Sequence, residues 1–586
     1  MIARRIEQAS MLILAGATVV LGFFQMFMRV HNSFPANYAT RLGIVGALFV
    51  VFWIILLIRQ PHADQTILPC VMLLSGIGLI MIARIDNQND VFGKGHSTVA
   101  LTQMIWLCVA LILCAILVIF MRDYRVLRKF SYLSMVVGLV LLLSPMLPFI
   151  GKEINGARVW LAFGGHTLQP AEFAKLFLAF FFASYLFDHR DQLAVGGKKI
   201  LGIRLPRLQD LGPILVVWVV CMGVLVLQHD LGTSLMFFAM FVSMLYVATG
   251  QKSWILIGFV GFMVGSVAAV MMFSHVGNRV NAWLHPYDNK IYNAVGGSFQ
   301  LVQGRFGLAT GGMTGTGLGQ GHPTVTPFAN SDFIYASLGE ELGIAGLFAI
   351  LALYLIIIGT GMIIAMKVTD GFGKLLASGL VFTMAFQVFT VVGGVTGVIP
   401  LTGLTLPYLA AGGSSLIANC ILASLLLIIS NSANKPVSDT DDDAFQYEAL
   451  MALREKEKKA AQARTAQSET ETSADESGSS DKSGTNADAF ATMAVPAPVT
   501  PVAPIEPIEP IEPIASTTET PRHARHTARA IQSPSNEETE IIAQRTHDGN
   551  TLPEATAMPN LRPPAPSAPR HAAGSAGVSS PERRDR

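Results

Sequence analysis

The stretch "SDFIYASLGEELGIAGLFAILALYLIIIGTG", residues 331–361, decides the fold class of this chain. Beyond Asp332 it is apolar for most of its length, and about 20 apolar residues are enough for a helix to cross a membrane. The stretch nevertheless carries Asp332 at its start, with Glu340 and Glu341 about two helical turns further on. Carboxylates at membrane depth are costly and are functional candidates by default. The sequence therefore predicts a membrane helix with a functional acid at its start.

Two kinds of sequence make up the 586 residues, of which 51% are hydrophobic and 14% are charged. Residues 1–434 consist of long apolar runs separated by short polar breaks, whereas residues 435–586 are rich in Pro, Ser, Thr, Ala, Glu and Arg. Apolar runs of this length predict an all-α polytopic membrane protein. The tail lacks the apolar surface that would offset the entropy cost of ordering, so residues 435–586 are predicted to be disordered.

About twelve transmembrane helices are predicted from these runs. They lie near residues 10–28, 41–58, 67–84, 99–121, 130–150, 170–187, 212–227, 231–249, 254–274, 333–365, 375–395 and 410–431. The first two, within residues 1–66, precede a core of ten helices within residues 67–434.

Basic residues predict which loops face the cytoplasm. They are concentrated in "RDYRVLRK", after the fourth span, and in the loop containing "GGKKILGIRLPR", after the sixth. Cytoplasmic loops are enriched in Lys and Arg, so these loops and both chain termini are predicted to be cytoplasmic. The loops after spans five, seven, nine and eleven then face outward. The loop after span nine, residues 275–332 (loop nine), is unusually long and glycine-rich, and we expect it to be partly ordered.

Several sequence features argue against disulfides, metal sites, nucleotide binding and nucleic-acid binding. The five cysteines fall within or at the ends of apolar spans, which is typical of buried small side chains rather than of disulfides or metal ligands. The stretch "GGMTGTGLGQGH" lacks the Lys-Ser/Thr ending of a nucleotide-binding loop, so its glycines are expected to allow close backbone approach. The sequence contains no histidine cluster with metal-ligand spacing, and we expect no nucleic-acid partner.

Asp332 is the first candidate for chemistry, since it lies at the predicted outer start of span ten, where the helix dipole favours negative charge. A carboxylate partly withdrawn from water is a better proton acceptor, which suits a general base. The alternative is a simple helix cap. Glu340 and Glu341 lie about 80° and 180° from Asp332 around a helix, and structural roles are predicted for both.

Three further polar residues have two possible roles each. Glu172 and Lys175, in "QPAEFAK", are three residues apart and share a helix face, so they are predicted to pair with each other. Lining a polar cavity is the alternative for this pair. Asp230, in "QHDLGTS", lies at the outward start of span eight, where capping or packing competes with a functional role.

Outward-facing cations suggest the charge of the ligand. They are Lys152, Arg158, Arg279, Lys290 and Arg305. Arginine presents a fork that matches the oxygens of a phosphate. Each residue alone is more often a solvated charge, but several together with an isolated carboxylate indicate an anionic or phosphate-bearing ligand.

Six motifs occur together in an order typical of one family. "NGARVW", "QPAEFAKL", "QHDLGTS", "GGMTGTGLGQG", "SDFIYASLGEELG" and "PLTGLTLPYLAAGGSS" resemble the motifs of the SEDS family (shape, elongation, division and sporulation), which includes RodA, FtsW and SpoVE. The resemblance covers about residues 67–430. The extra N-terminal spans and "IPLTGLTLPY" are more similar to actinobacterial RodA than to FtsW.

The resemblance implies a peptidoglycan glycosyltransferase that polymerises lipid II, an undecaprenyl-diphosphate-linked disaccharide-pentapeptide, on the outer face of the bacterial cytoplasmic membrane. A role in elongation and cell shape is expected, with a class B penicillin-binding protein as partner. Asp332 matches the family's essential acid, proposed to deprotonate the acceptor hydroxyl. The expected substrate-binding residues, from motif positions and outward arginines, are Arg158, Glu172, Lys175, Asp230, Arg279, Gln303 and Arg305.

Three positions depart from the family pattern. The paired arginines after "NGA" are here Arg158 and Val159, the usual "DP" after span nine is His285 and Pro286, and "SYGGSS" is "AAGGSS". These differences affect contacts to the substrate more than the reaction.

Other interpretations remain open. A flippase or transporter of lipid-linked precursors would use the Glu172–Lys175 pair and polar sites at both ends of the membrane, whereas the candidates cluster at the outer end. A scaffold that only recruits cell-wall enzymes would not need Asp332. No tightly bound cofactor is expected, although a divalent cation (Mg²⁺ or Mn²⁺) could stabilise the departing diphosphate. The tail is expected to be a linker or to bind cytoplasmic elongation or division proteins.

Overall fold

A computed structural model describes residues 2–91, 98–154, 156–195, 199–200, 203–204, 208–294, 296–435, 451 and 453–454. The predicted disordered tail, residues 435–586, lies almost entirely outside the described residues. The helices are α1 (Ile2–His31), α2 (Ala36–Arg59), α3 (Ile67–Val91), α4 (Val99–Phe120), α5 (Val126–Lys129), α6 (Ser131–Leu143), α7 (Ala171–Val195), α8 (Leu208–Leu227), α9 (Leu231–Thr249), α10 (Ser253–Met272), α11 (Ser274–Leu284), α12 (Asn289–Tyr292), α13 (Phe299–Gly311), α14 (Ile334–Lys367), α15 (Gly371–Thr396) and α16 (Gly413–Ala433). Two 3₁₀ turns lie at Ser144–Met146 and Pro323–Val325.

The predicted all-α polytopic membrane fold is confirmed. Each predicted span coincides with a helix, and nine helices in the described part of the chain are long and apolar enough to cross a membrane. Of the other three, α6 and α8 are shorter apolar helices, and α7 is long but carries Glu172 and Lys175. The total of twelve crossings stays a prediction.

Contacts between loops show which loops share one end of the helix bundle. Arg128, in the loop after span four, pairs with Asp188, after span six, with 2.5 Å between Nη2 and Oδ1. Gln60, which follows span two, donates from Nε2 to the carbonyl of Met121 at 3.4 Å. The loops after even-numbered spans therefore meet at one end, here called the basic end, as the alternation of spans requires.

The loops after odd-numbered spans meet at the other end, here called the site end. Trp283 on α11 donates from Nε1 to the carbonyl of Gly397, after span eleven, at 2.8 Å. The amide of Arg158, after span five, donates to the carbonyl of Gln228, after span seven, at 3.3 Å. The grouping of loops agrees with the prediction, while the assignment of the site end to the outside of the cell stays a prediction.

A small antiparallel sheet at the site end was not predicted. It contains β1 (Gly151–Ile154), β2 (Ala157–Phe163) and β3 (His166–Leu168), in the order β1-β2-β3, with Gly151 opposite Leu161 and Leu161 opposite Leu168. Val159 and Leu161 are buried in β2, which gives the period of two that is typical of a half-buried strand. At the basic end, β4 (Lys199–Ile200) pairs with β5 (Ile203–Arg204).

Loop nine is partly ordered, as predicted, because it contains the helices α11, α12 and α13. Its α13 packs against the start of α14 through glycines. A Cβ built on Gly304 would lie 2.6 Å from the ring of Phe333, and one on Gly311 would lie 2.0 Å from the carbonyl oxygen of Gly339. Only glycine permits an approach this close.

The glycine-rich segment that follows, residues 311–321 (the glycine loop), lies against a break in α14. Gly343 interrupts the helix with a φ of 68° and a ψ of −175°. A Cβ on Gly343 would lie 2.2 Å from the backbone nitrogen of Gly315. Beyond the break, the amide of Ile344 donates to the carbonyl of Gly312 at 2.9 Å. The glycines therefore allow close backbone approach, as predicted.

Glu340 and Glu341 hold this loop in place. One carboxylate oxygen of Glu341 accepts from Nε of Arg84 on α3 at 3.0 Å, and the other accepts from the amide of Gly319 at 2.9 Å. Glu340 accepts from the amide of His322 at 2.6 Å. These contacts agree with the structural roles predicted for both glutamates.

We predict that Gly343→Ala destabilises the fold by about 2 kcal/mol or more, because alanine is strained at positive φ and its Cβ would meet the backbone of Gly315. Gly359→Ala, in the same helix with open space around its Cα, is the control and should gain about 0.5–1 kcal/mol. Thermal unfolding of the purified protein in detergent measures both. Equal unfolding temperatures for the two variants would contradict the prediction.

Candidate active site

Asp332 lies where the sequence placed it, immediately before α14. A tight turn carries it: the amides of Ser331 and Phe333 both donate to the carbonyl of Phe328, at 3.0 and 3.1 Å. The carbonyl of the neighbouring Asn330 accepts from the amide of Ala411 at 2.8 Å, which ties this turn to the segment after span eleven. The carboxyl group is thus fixed at the site end and is only half-buried.

Burial raises the pKa of Asp332 to about 6, although the positive charge of Arg279 and a hydrogen bond with Ser331 both act to lower it. The desolvation of the carboxylate outweighs the two stabilising contacts. The group is therefore mostly ionised at neutral pH and can still accept a proton, which is the property expected of a general base.

Arg279 is the cation that links this acid to its surroundings. It lies on α11, and its Nη1 donates to the carbonyls of Thr402 at 3.1 Å and Leu401 at 3.4 Å. Its charge also lowers the pKa of Asp230, which burial raises. Arg279 therefore lies within electrostatic range of both Asp332 and Asp230 and anchors the segment after span eleven.

Asp230 has one oxygen with a partner and one without. Its Oδ1 accepts from the amide of Thr233 at 3.0 Å and caps α9, which is the capping role considered from sequence. Its Oδ2 is buried and has no hydrogen-bond partner among the described residues, and the same holds for Nε of Arg305 and Nε2 of His275. Buried polar atoms without partners are costly, so all three are candidates to contact water or a ligand.

Glu172 and Lys175 pair as predicted, at 2.6 Å between Oε2 and Nζ. The Lys175 ammonium also donates to Oε1 of Gln387 and Oδ1 of Asn419, both at 3.1 Å. All three of its protons are thus used, and the side chain is only 1% exposed. Gln387 donates in turn to the carbonyl of Thr405 at 2.9 Å. The network joins α7, α15 and α16 to the segment after span eleven.

The remaining predicted substrate-binding residues lie at the site end but contact other partners. Arg158 is half-exposed on β2 and pairs with Glu153, with 3.6 Å between Nε and Oε2. Gln303 on α13 donates to the hydroxyl of Tyr292 at 3.0 Å. Arg305 packs so closely on Gly397 that a Cβ there would lie 1.9 Å from its Nη2. Their roles in binding substrate stay predictions.

Sequence reasoning missed several residues that build this end. Gln387 and Asn419 are fully buried polar side chains in apolar spans, and that contrast was a signal that could have found them. The rings of His229 and His275 lie 4.5 Å apart, and Nδ1 of His229 lies 3.2 Å from the carbonyl oxygen of Gly156. No sequence pattern links these two histidines, which come together only through the fold.

The described residues do not fit a resident metal site. They contain no group of three or more His, Cys, Asp or Glu side chains that could hold an ion. Mg²⁺ in phosphate-handling sites needs only one or two carboxylates, with substrate phosphates as further ligands. A divalent cation at the departing diphosphate therefore stays a proposal, and no step of the chemistry below passes through one.

Comparison with known proteins identifies the family. A family model for FtsW, RodA and SpoVE, described as "Cell cycle protein", matches residues 64–435. The chain belongs to the FtsW/RodA/SpoVE family. The matched residues contain every candidate site residue named above, whereas α1 and α2 precede them.

Individual relatives agree with this family. Peptidoglycan glycosyltransferase RodA of Mycobacterium tuberculosis (strain ATCC 25618 / H37Rv) is 45% identical over 378 residues, which is 64% of this chain and 80% of the relative. The probable peptidoglycan glycosyltransferase FtsW of Geobacter metallireducens is 33% identical over 324 residues, 55% of this chain and 82% of the relative. The expectation of greater similarity to an actinobacterial RodA than to FtsW agrees with these values.

A solved structure supports the fold of this FtsW/RodA/SpoVE chain. It comes from work on the structural coordination of polymerization and crosslinking by a peptidoglycan synthase complex. The similarity covers 64% of this chain and 99% of the other, with 25% identity and a TM-score of 0.51.

We predict that Lys175→Met lowers the free energy of unfolding by about 3–5 kcal/mol, because it leaves the Glu172 carboxylate buried without its cation. The double variant Glu172→Leu with Lys175→Met should recover part of this loss, since neither charge then remains, while Gln387 and Asn419 still lack the donor that Lys175 supplied. Thermal unfolding in detergent compares the two. A single variant as stable as the double variant would show that Glu172 does not depend on Lys175.

Proposed function

We propose that this chain is a peptidoglycan glycosyltransferase that polymerises lipid II into glycan strands, with Asp332 as the general base. The observation that carries the proposal is the half-buried carboxyl of Asp332 at the site end, whose pKa burial raises although the charge of Arg279 acts to lower it. Relatives that share the family are named peptidoglycan glycosyltransferase. Elongation and cell shape are the proposed context, because the 45% identical relative is a RodA.

The proposed reaction transfers one proton and exchanges one bond. The acceptor hydroxyl donates its proton to the Asp332 carboxylate while its oxygen attacks the anomeric carbon of the donor. The bond from that carbon to the diphosphate oxygen breaks, and its electron pair leaves with the lipid diphosphate. The protonated Asp332 then returns its proton to water. The lipid diphosphate activates the donor, so no nucleotide is needed outside the cell.

The arginines are proposed to hold the donor's diphosphate. Arg279 is within electrostatic range of both Asp332 and Asp230, and its guanidinium can also pair with the oxygens of an arriving phosphate. Arg305 and Arg158 lie at the same end and supply further cations, Arg305 with a buried Nε that has no partner among the described residues. Asp230, Gln303 and the Glu172–Lys175 pair are proposed to shape the surrounding site.

The chain is a multi-span membrane protein, and we infer that its site end faces outward from the bacterial cytoplasmic membrane with both termini inside. The loops at the basic end carry the Lys and Arg that are typical of cytoplasmic loops. A class B penicillin-binding protein is the proposed partner, because the structural neighbour comes from a complex that couples polymerization to crosslinking. The flippase alternative has less support, since the Lys175 ammonium already uses all of its donors within the protein.

We predict that Asp332→Asn lowers polymerisation by about 10²–10⁴-fold, because the amide cannot accept the proton. Labelled lipid II is incubated with the purified protein and its penicillin-binding partner, and the products are resolved by length. Asp288→Asn is the control. Asp288 is an exposed acid in the same loop, where it caps α12, and the Asp288→Asn variant should polymerise as wild type does. Equal amounts and lengths of product from wild type and Asp332→Asn would show that the protein is a polymerase but that Asp332 is not its general base.

We predict that activity falls as pH drops through about 6, because the base form of Asp332 is present above its pKa and is lost below it. The charge of Arg279 lowers that pKa. Arg279→Gln should therefore raise the pH at which activity falls on the acidic side (the acidic limb), whereas Arg279→Lys keeps the charge and should leave this pH unchanged. Initial rates of polymerisation over a pH series give the limb for each variant. If the acidic limb of Arg279→Gln lay at the same pH as that of wild type, Arg279 would not affect the pKa of the base.

A further inference from the structure

Two histidines at the site end join elements that are distant in the chain. His229 lies in the turn between α8 and α9, immediately before Asp230, and His275 is the second residue of α11. Their ring centroids are 4.5 Å apart and their planes meet at 63°, so the contact is edge to face. This is a preferred arrangement of aromatic rings. The pair therefore ties the start of α11 to the turn before α9.

The backbone of His229 is strained. Its φ is 61°, in the left-handed region that glycine adopts freely and that a residue with a large side chain rarely adopts. Such strain persists only where the surroundings impose it, and it is common at functional sites. The side chain is held on two sides, since the ring packs on His275 and Nδ1 lies 3.2 Å from the carbonyl oxygen of Gly156 in the β1–β2 turn. A carbonyl only accepts, so Nδ1 carries the proton of this hydrogen bond.

His275 is the first of three residues that hold α11 along one face. His275, Arg279 and Trp283 are spaced four residues apart, which places them on the same side of the helix. Arg279 donates to the carbonyl of Thr402 at 3.1 Å, and Trp283 donates to that of Gly397 at 2.8 Å. These two contacts hold α11 to the segment after span eleven, and His275 holds it to the turn between α8 and α9.

His275 acts through packing rather than charge. Burial lowers the pKa of its imidazole, and the neighbouring His229 and Arg279 act in the same direction. A neutral ring can lie one helical turn from the Arg279 guanidinium without repelling it. Nε2 of His275 is buried and has no hydrogen-bond partner among the described residues, so an apolar ring of similar shape would lose no hydrogen bond there.

We propose that His229 and His275 are positioning residues that hold Arg279 toward Asp332. The inference rests on the glycosyl transfer proposed above. His229 fixes the start of α11, and α11 carries Arg279 one turn further on. The charge of Arg279 acts on Asp332, and the same guanidinium is proposed to pair with the donor's diphosphate. Loosening the start of α11 therefore weakens both effects of Arg279 at once.

His229→Gly removes the ring while the turn is kept. Relief of strain offsets the entropy that glycine adds to the unfolded chain, so the unfolding temperature should stay close to that of wild type. The KM for labelled lipid II should rise about 3- to 10-fold. The acidic limb should move to higher pH, in the direction of Arg279→Gln but less far. In a variant that already carries Arg279→Gln, His229→Gly should not move the limb further.

Hydrogen–deuterium exchange of the α11 amides, residues 274–284, gives a readout that does not depend on activity. Exchange there should be faster in His229→Gly than in wild type, because the start of the helix has lost one of its contacts. His275→Ala should show the same changes in exchange, KM and acidic limb. His275→Phe should restore the wild-type values, since it keeps an aromatic ring against His229.

His189→Ala is the matched control. His189 lies at the basic end and makes the same kinds of contact: its ring centroid lies 4.1 Å from that of Tyr185, and its Nδ1 lies 3.0 Å from the Tyr185 carbonyl oxygen. This variant should keep the KM, the acidic limb and the α11 exchange of wild type.

Three results would overturn the inference. Unchanged α11 exchange in His229→Gly would do so whether or not the protein polymerises lipid II. A wild-type KM and acidic limb in His229→Gly, when Arg279→Gln does shift the limb, would remove the positioning role and leave the proposed function intact. A His275→Phe variant as impaired as His275→Ala would show that the imidazole nitrogens act directly, as a ligand contact would require.

Discussion

The ion pair between Arg84 and Glu341 is the contact on which the site end depends. Both side chains are almost fully buried, and the pair spans from α3 to α14 at 3.0 Å. Arg84 also donates to the carbonyls of Gly319 and Gly321, so one guanidinium holds the helix and the glycine loop together. Asp332 lies just before the same helix, so this pair contributes to its position together with the hydrogen bond between Asn330 and Ala411. Breaking such a buried pair leaves an uncompensated charge, which costs about 3–5 kcal/mol.

The protein contains two kinds of buried charged residue: those that hold helices together and those that are candidates for the reaction. Both carboxylate oxygens of Glu341 and all three protons of the Lys175 ammonium have hydrogen-bond partners within the protein. Asp332 and Asp230 are held differently, because Arg279 is within electrostatic range of both and Oδ2 of Asp230 has no hydrogen-bond partner among the described residues. A buried carboxylate oxygen without a partner is a candidate to contact a ligand.

Hydropathy predicted the helices because each membrane crossing needs only a local run of apolar residues. Asp332 was also accessible from sequence, since a carboxylate beside an apolar run is a local signal. The strands of residues 151–168 were missed, because a short strand in a polar loop has little local signal beyond the alternation of Val159 and Leu161. Gln387 and Asn419, the other partners of Lys175, lie more than 200 residues away from it, and such contacts depend on how helices pack.

The two helices outside the family match are integrated into both ends of the protein. α1 packs closely on α3: a Cβ on Gly76 would lie 2.1 Å from the side chain of Val19, and one on Gly22 would lie 2.7 Å from that of Ile80. Small residues at such crossings are what allow membrane helices to pack without a hydrophobic driving force. At its far end, Arg29 lies against the glycine loop that Glu341 holds. α1 therefore connects the core helix α3 to the glycine loop at the site end.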